Sequence, residues 1–502
     1  MFSSRAARRS FLGTLAFGAT ALAAGLSVAR KKPTQRRWPD RSSISPTILE
    51  NRAEGDGGWR PNETVKDRAR EIQGYASTTS VNAGEWIDFH IAVADAQPFT
   101  VTLHRIGHYD GAGGRIMHST GELTGSPQPL PEIDPETGMM DCRWPATWTF
   151  QIPEDWASGL FLATFATRDG LHRASTPFVV RNDDRRPEFL VVVPFTTYAA
   201  YNTWPLDGVH GKSLYKGYRP DGSLGGLPER AHRVSFNRPF FNGGRPTWFA
   251  LDVAAAQWIE SHDYDVGYVT SVDLHEGRVD PARHRALVFS GHDEYWSPAM
   301  RQVVETAIRD ETHCAFLTAN NVYWNIRLDA DPQGVPGRVV TCYKGAPDPA
   351  PEEPGPTVLW RSVGHRRKHA EARLLGVAYN GILRQPVPLV VSKADHWFWS
   401  GTGVRDGEEI RDLVAVEADG WWPALPTDYE SAQTLLSRSP YQDKLGRGYQ
   451  IQHTSLCETP KKTIMFVAGT FHWPLALAES KYTDPRIQQA TKNLFDRFRK
   501  ST

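Results

Sequence analysis

The chain has 502 residues, with 57 Lys plus Arg balanced by 57 Asp plus Glu. That length exceeds one ordinary domain and predicts two or three. The balanced charge provides no overall field for nucleic acid or an anionic membrane. Hydrophobic content of 40% and charged content of 23% describe a packed globular protein. Seventeen Trp, 42 Gly and 36 Pro suit β-structure, long ordered loops and aromatic-walled clefts without choosing among them.

Residues 1–29 read as a targeting segment. Ala7-Arg8-Arg9-Ser10-Phe11-Leu12 sets paired arginines before an uncharged apolar run to Ala29, with small residues at Ala21-Leu22-Ala23 and Ser27-Val28-Ala29. This is the pattern of a twin-arginine signal, which predicts export of the folded chain to the periplasm, cell surface or medium. The run is short for a span, so membrane contact is expected only through an uncleaved signal. Residues 30–73 are polar and rich in Pro and Gly, and are expected as a linker or extended arm. Cys142, Cys314, Cys342 and Cys457 lack C-x-x-C spacing, which excludes a zinc ribbon. A disulfide is permitted by the expected destination, and Cys314 reads as a buried thiol.

Residues 74–183 have period two. Ile87, Phe89, Ile91 and Val93 share one face, and Val101, Leu103 and Arg105 alternate likewise, predicting an immunoglobulin-like β-sandwich. The glycine-rich segment Arg105 to Arg115 reads as a tightly turned loop. Residues 184–502 alternate strands with helices: strand Phe189 to Val193, helix Phe249 to Glu260, strand Val266 to Thr270, strand Ala286 to Phe289, a helix from Ser297-Pro298, strand Ala315 to Leu317, strand Ile464 to Val467, and a helix from Asp484-Pro485. This predicts an α/β doubly wound sheet, with a loop-rich insertion at about 330–460.

Ligands of such sheets sit beyond the carboxyl ends of the strands. Gly291-His292-Asp293-Glu294-Tyr295-Trp296 follows a buried strand and precedes a helix, and sets four groups able to ligate a metal or move a proton side by side. His292, Asp293 and Glu294 are therefore candidate catalytic residues. Asn320 or Asn321, after the next strand, could supply a donor to a substrate oxygen. Tyr201, Asn202, Tyr323, Trp324 and His472, each past a strand end, are candidate substrate contacts. No Gly-x-Gly-x-x-Gly, Walker loop or Gly-x-Ser-x-Gly elbow is present, and the elbow position carries no cysteine. Nucleotide-dependent, serine-hydrolase and Cys–His amidotransferase chemistries are disfavoured.

The segments Gly74-Tyr75-Ala76-Ser77, Arg105 to Arg115, Ala200-Tyr201-Asn202-Thr203-Trp204, Val234 to Pro239, Gly291 to Trp296 and Gly469-Thr470 occur in an order that resembles proteins related to the large (beta) subunit of N,N-dimethylformamidase. The resemblance runs from about residue 74 to 500. It implies a sandwich joined to a flavodoxin-like domain of the class I glutamine amidotransferase kind. It also implies hydrolysis of a small amide at a mononuclear ferric site held by two tyrosines and one glutamate. Tyr295 carries over as one ligand, Tyr264 is a candidate for the second, and Glu352 or Glu353, upstream of Leu359-Trp360-Arg361, for the glutamate. Such a hard oxygen set suits Fe(III). The residues leave two rivals open: a metal-free hydrolase using His292 and Glu294, and a non-catalytic extracellular binder of a glycan or other ligand. A homo-oligomer is also left open.

Overall fold

The computed structural model describes residues 44–351 and 355–500. Residues 1–29, expected as a signal, and the Glu352/Glu353 pair lie outside the described residues.

Alternating apolar residues form two facing sheets. Ile72–Ala76, Trp86–Val93 and Trp148–Gln151 make one; Ser80–Asn82, Arg173–Arg181, Gly159–Thr167, Gln97–Ile106 and Gly114–Ser119 make the other, with Leu123–Gly125 added beside Gln97–Ile106. Ile87, Phe89, Ile91 and Val93 point inward as their period predicts, meeting Phe161, Phe165 and Phe178 across the core. The segment from Arg105 to Arg115 is only partly the loop expected. Arg105 and Ile106 end one strand, Gly114 and Arg115 begin its antiparallel partner, and the glycines make the turn between them.

Residues 44–71, within the stretch expected as a linker or extended arm, are pinned to the rest of the chain. Pro46–Glu50 is a short helix whose Thr47 hydroxyl donates to the Val266 carbonyl at 2.7 Å. Asn51 bonds Glu260 and accepts from the amides of His108 and Tyr109.

The second half is built on a seven-stranded sheet in the order Val266–Thr270, Phe189–Val193, Ala286–Phe289, His313–Phe316, Ile464–Val467, Ser455–Glu458, Ala432–Leu435. The first five are mutually parallel, Ser455–Glu458 runs against them, and Ala432–Leu435 is antiparallel to Ser455–Glu458. The strand Phe189–Val193 is apolar throughout because both faces are covered. Val191 and Val193 face a layer containing Phe249–Glu260 and Pro485–Lys500, while Leu190 and Val192 face Pro298–Arg309. Ser297 caps this last helix, accepting from the Met300 amide, with Pro298 in its first turn. Ile106, Leu160, Leu162 and Val179 of the sandwich join the first layer's core, so the two halves share buried surface.

Within 330–460 irregular chain alternates with short antiparallel pairs, such as Ala378–Ile382 with Glu417–Gly420 and Ser439–Gln442 with Tyr449–Gln452. All four cysteines are free and buried. Among the described residues no helix is long and apolar enough to cross a membrane.

Candidate functional site

Phe189–Val193 and Ala286–Phe289 are neighbours in the sheet, and their chains leave its carboxyl edge into opposite structures, which opens a crevice there. The first strand runs into helix Phe195–Tyr201, delivering Tyr201 at its end. The second runs into Ser290-Gly291-His292. Gly291 is required because a Cβ there would strike the Asp252 carboxylate. Thr197 Oγ1 accepts from the Glu294 amide at 3.0 Å, tying the turn to that helix. On the other side Tyr295–Trp296 pairs with Trp324–Asn325, and the amides of Tyr323 and Trp324 both donate to the Glu294 carbonyl at 2.9 Å. Asn320 and Val322 adopt left-handed backbone with φ of 54°. That conformation is costly for a β-branched valine and is held by these neighbours.

Glu294 is the centre of the arrangement. Its Oε2 accepts from Tyr201 at 2.8 Å and faces His292 Nε2 at 3.2 Å. Its Oε1 accepts from Tyr215 at 2.5 Å and from Trp324 Nε1 at 3.0 Å. His292 Nδ1 lies 3.2 Å from the Ala319 carbonyl. A carbonyl and a carboxylate both only accept, so the ring carries protons on both nitrogens. Lys344 Nζ lies 2.5 Å from the Tyr295 hydroxyl, 3.6 Å from the centre of the Tyr215 ring and 3.9 Å from that of Trp324. Glu417 Oε2 is 3.9 Å from His292 Nε2 and accepts from Asn320 Nδ2 at 2.9 Å. Asp419, on the same strand face, accepts from the Asn320 amide at 2.8 Å. Tyr201, Tyr215, Trp324, Lys344 and Glu417 are crowded by neighbours yet keep some accessible surface, which makes the cluster a recessed hollow rather than a sealed core.

The charges follow from that crowding. Burial opposes the charge of Glu294, but its hydrogen bond from His292 and the His292 and Lys344 charges hold it below the ordinary glutamate pKa. Burial likewise opposes an imidazolium at His292, and Glu294, with help from Glu417, raises its pKa all the same. Burial pushes Glu417 up to about 7 and Asp419 to about 7, and pushes Lys344 down to about 8. Burial, then the Glu294 charge, holds the phenols of Tyr201, Tyr215 and Tyr295 well above the usual range. Two acceptors of this cluster have no partner among the described residues: Asn320 Oδ1 and Asp419 Oδ2.

The residues marked in the sequence therefore divide. His292, Glu294, Tyr295, Asn320, Tyr201 and Trp324 come together, with Tyr323 edge-on to Trp324 at 5.3 Å. Asn321 closes its own turn on Thr318. Asp293 points away from the hollow, where burial lifts it to about 8 and both its oxygens lack a hydrogen-bond partner; Trp296 is close enough to temper that rise without bonding it. Asn202 is structural, bonding Pro239, Trp204 and Phe241. His472 packs on Tyr482 and bonds the Asp412 carbonyl, and its neighbour Phe471 is what reaches His292, at 4.4 Å. Tyr264 is not a ligand candidate: it precedes the Val266–Thr270 strand, at the opposite edge of the sheet, and its hydroxyl donates to Asp496 at 3.3 Å. Tyr215, Lys344, Glu417 and Asp419 had no motif to mark them. The one available signal was Glu417-Ala418-Asp419, whose period places two carboxylates on one strand face.

Among the described residues no group of three His, Cys, Asp or Glu is placed to hold a metal. The converging donors are instead phenolic: Tyr201, Tyr215 and the Glu294 carboxylate they share. No curated protein matches the chain. Residues 100–485 match the family model described as N,N-dimethylformamidase beta subunit-like, C-terminal, a span that includes every residue of the hollow, and the chain belongs to that family.

Proposed function

We propose that this protein is an exported hydrolase of amide carbon–nitrogen bonds, working in the Glu294 hollow with a ferric ion held by Tyr201, Tyr215 and Glu294. Family membership supports a hydrolase of this kind. The observation that carries the assignment is that two phenols donate to the two oxygens of one buried carboxylate, at 2.8 and 2.5 Å. These are three hard oxygen donors, the set a small highly charged cation prefers. The two-tyrosine, one-glutamate pattern implied by the resemblance is thus reassigned from Tyr295, Tyr264 and Glu353 to Tyr201, Tyr215 and Glu294. We read the parallel strand order as the flavodoxin-like plan and the facing sheets as immunoglobulin-like. The paired arginines Arg8-Arg9 support export by the twin-arginine route.

A ferric ion bound there would polarise an amide carbonyl and acidify water. The protein's own groups supply the rest. Glu417, poised near neutrality, takes a proton from the attacking water and returns it to the departing nitrogen. His292 stands 3.9 Å away and holds the compensating positive charge. Asn320 clamps Glu417 with its Nδ2 and leaves its carbonyl oxygen free to accept an amide N–H. Trp324 Nε1 orients both Glu294 and Tyr215.

Metal analysis together with visible absorption tests this. The wild-type protein is expected to carry stoichiometric iron with a tyrosinate-to-iron band. Tyr201→Phe and Tyr215→Phe should each weaken that band and lose iron, whereas Tyr264→Phe should retain both. Iron retained in full by the Tyr201→Phe, Tyr215→Phe double variant would sink the assignment.

A further inference from the structure

Beside the hollow lies a cleft of about 970 Å³. Its walls carry Tyr379, Trp421, Trp422 and Tyr449 together with four cationic side chains, Arg361, Lys393, Arg438 and Arg447, and no carboxylate. In a chain whose acidic and basic residues are equal in number, that asymmetry is local design. Two of the cations are balanced from behind the wall, Arg361 by Glu371 and Arg447 by Asp443. These two are spread flat: Arg361 lies 4.7 Å from the centre of the Trp422 ring, and Arg447 lies 5.7 Å from that of Tyr379. Arg438 and Lys393 are exposed and make no side-chain hydrogen bond or ion pair among the described residues. Trp421 is 44% exposed and Tyr449 80%, which leaves large aromatic faces bare beside unpaired positive charge.

A row of packed rings joins the wall of the cleft to the hollow. Tyr379 meets Tyr323 at 5.1 Å, Tyr323 meets Trp324 at 5.3 Å, and the Trp324 indole bonds Glu294. The strand Glu417–Gly420 holds Glu417 in the hollow and leads directly into Trp421. Four residues of strand span about 13 Å. A formamide fills only the inner end of that length.

We propose that the cleft binds the far end of the substrate, and that this end is a flat ring system bearing an anionic group. The substrate class is then a ring-bearing amide with a carboxylate, rather than a small neutral formamide. Stacking on Tyr379 and Trp421 would take the ring, and Arg438 with Lys393 would take the charge. This rests on the amidohydrolase reading for the position of the scissile bond; binding of the acidic ring does not.

The test uses 4′-acetamidobiphenyl-4-carboxylate and its counterpart without the carboxylate, measured by calorimetry and by hydrolysis on the iron-loaded protein. The acid is expected to bind about tenfold tighter than the neutral amide at moderate salt, as a charge-assisted pair allows. Arg438→Gln should remove most of that preference, and Trp421→Ala should weaken both compounds together, with thermal unfolding verifying that each variant is folded. Equal affinity for acid and neutral compound in the wild type overturns the proposal. So does a preference that survives in the Arg438→Gln, Lys393→Gln double variant. Tight charge-dependent binding without hydrolysis supports the cleft and counts against the amidase reading; hydrolysis of both compounds without charge preference does the reverse.

Discussion

At the seam between sandwich and α/β layers, Glu260 accepts from Arg105 at 2.8 and 2.9 Å, from Tyr268 at 2.7 Å and from Asn51 at 2.7 Å. Both side chains of the ion pair are fully inaccessible. In the hollow, Glu294 also faces tyrosines and cations, at similar distances. The seam pairs its carboxylate with a guanidinium, bidentate and unable to give up its proton. The hollow uses His292, whose pKa Glu294 raises against burial, and Lys344, which burial pushes down to about 8, and it aims the lysine at a phenol instead of the carboxylate. The seam leaves no lone pair of Glu260 to a ligand, whereas the hollow keeps open surface and the unpartnered Asn320 Oδ1 and Asp419 Oδ2. One cluster fastens two halves of a protein, and the other holds charge ready to be rearranged.

The largest expected effect separates the two by stability. Glu260→Ala strands a guanidinium inside the seam and is expected to cost about 3–5 kcal/mol. Glu294→Ala should cost under about 2 kcal/mol, because His292 and Lys344 can shed protons once the carboxylate is gone. Urea unfolding of both variants at neutral pH decides it; equal losses would erase the distinction. Next in size is activity. Glu417→Gln should lower kcat/KM by roughly 10²–10⁴-fold, the range for a lost general base, with unfolding little changed. A variant retaining its activity would remove Glu417 from proton transfer.

The seam and the hollow were not equally legible. Arg105 could be placed on a strand face by period, but nothing in that pattern linked it to Glu260, 155 residues away. The central sheet was readable because strands buried on both faces are continuously apolar, and Phe249–Glu260 and Phe189–Val193 fall where the pattern puts them. His292 and Glu294 could be marked because chemistry-bearing residues stood together after a buried strand. Tyr215 and Lys344 are isolated in irregular segments and join the site only through tertiary folding, and Glu417 sits in a stretch whose three- to six-residue strands carry too few residues for a clear period. Tyr264 failed for the converse reason. A tyrosine just before a strand lies at the amino edge, and the sheet separates it from the crevice.

A smaller effect sharpens the comparison through pH. Asp419 is lifted to about 7 by burial, against 3.8 for an ordinary aspartate. Between those values the folded state holds a proton that the unfolded chain has released, so stability falls as pH rises from about 4 to about 7 and is level above. In the seam a guanidinium stands against the carboxylate instead of a proton. Asp419→Asn should therefore flatten the profile and gain on the order of 1–3 kcal/mol at pH 8 relative to pH 4, the range for an unsatisfied buried group. Unfolding measured at both pH values checks it; an unchanged slope would mean that the carboxylate is solvated in solution.

The smallest expected effect concerns Trp324. Its indole N–H reaches both Glu294 Oε1 at 3.0 Å and the Tyr215 hydroxyl at 3.1 Å, so it fixes two donors of the proposed ligand set relative to each other. Trp324→Phe keeps most of the ring that Lys344 covers and removes the shared hydrogen bond. If the hollow works by holding its oxygen donors in register, activity should fall by about tenfold, the worth of one hydrogen bond to a charged group. The tyrosinate band should shift while the iron stays bound. If Trp324 were merely packing, as Trp258 is in the core, the phenylalanine would change neither, and the orienting role would pass to the Thr197 hydroxyl that holds the Glu294 backbone.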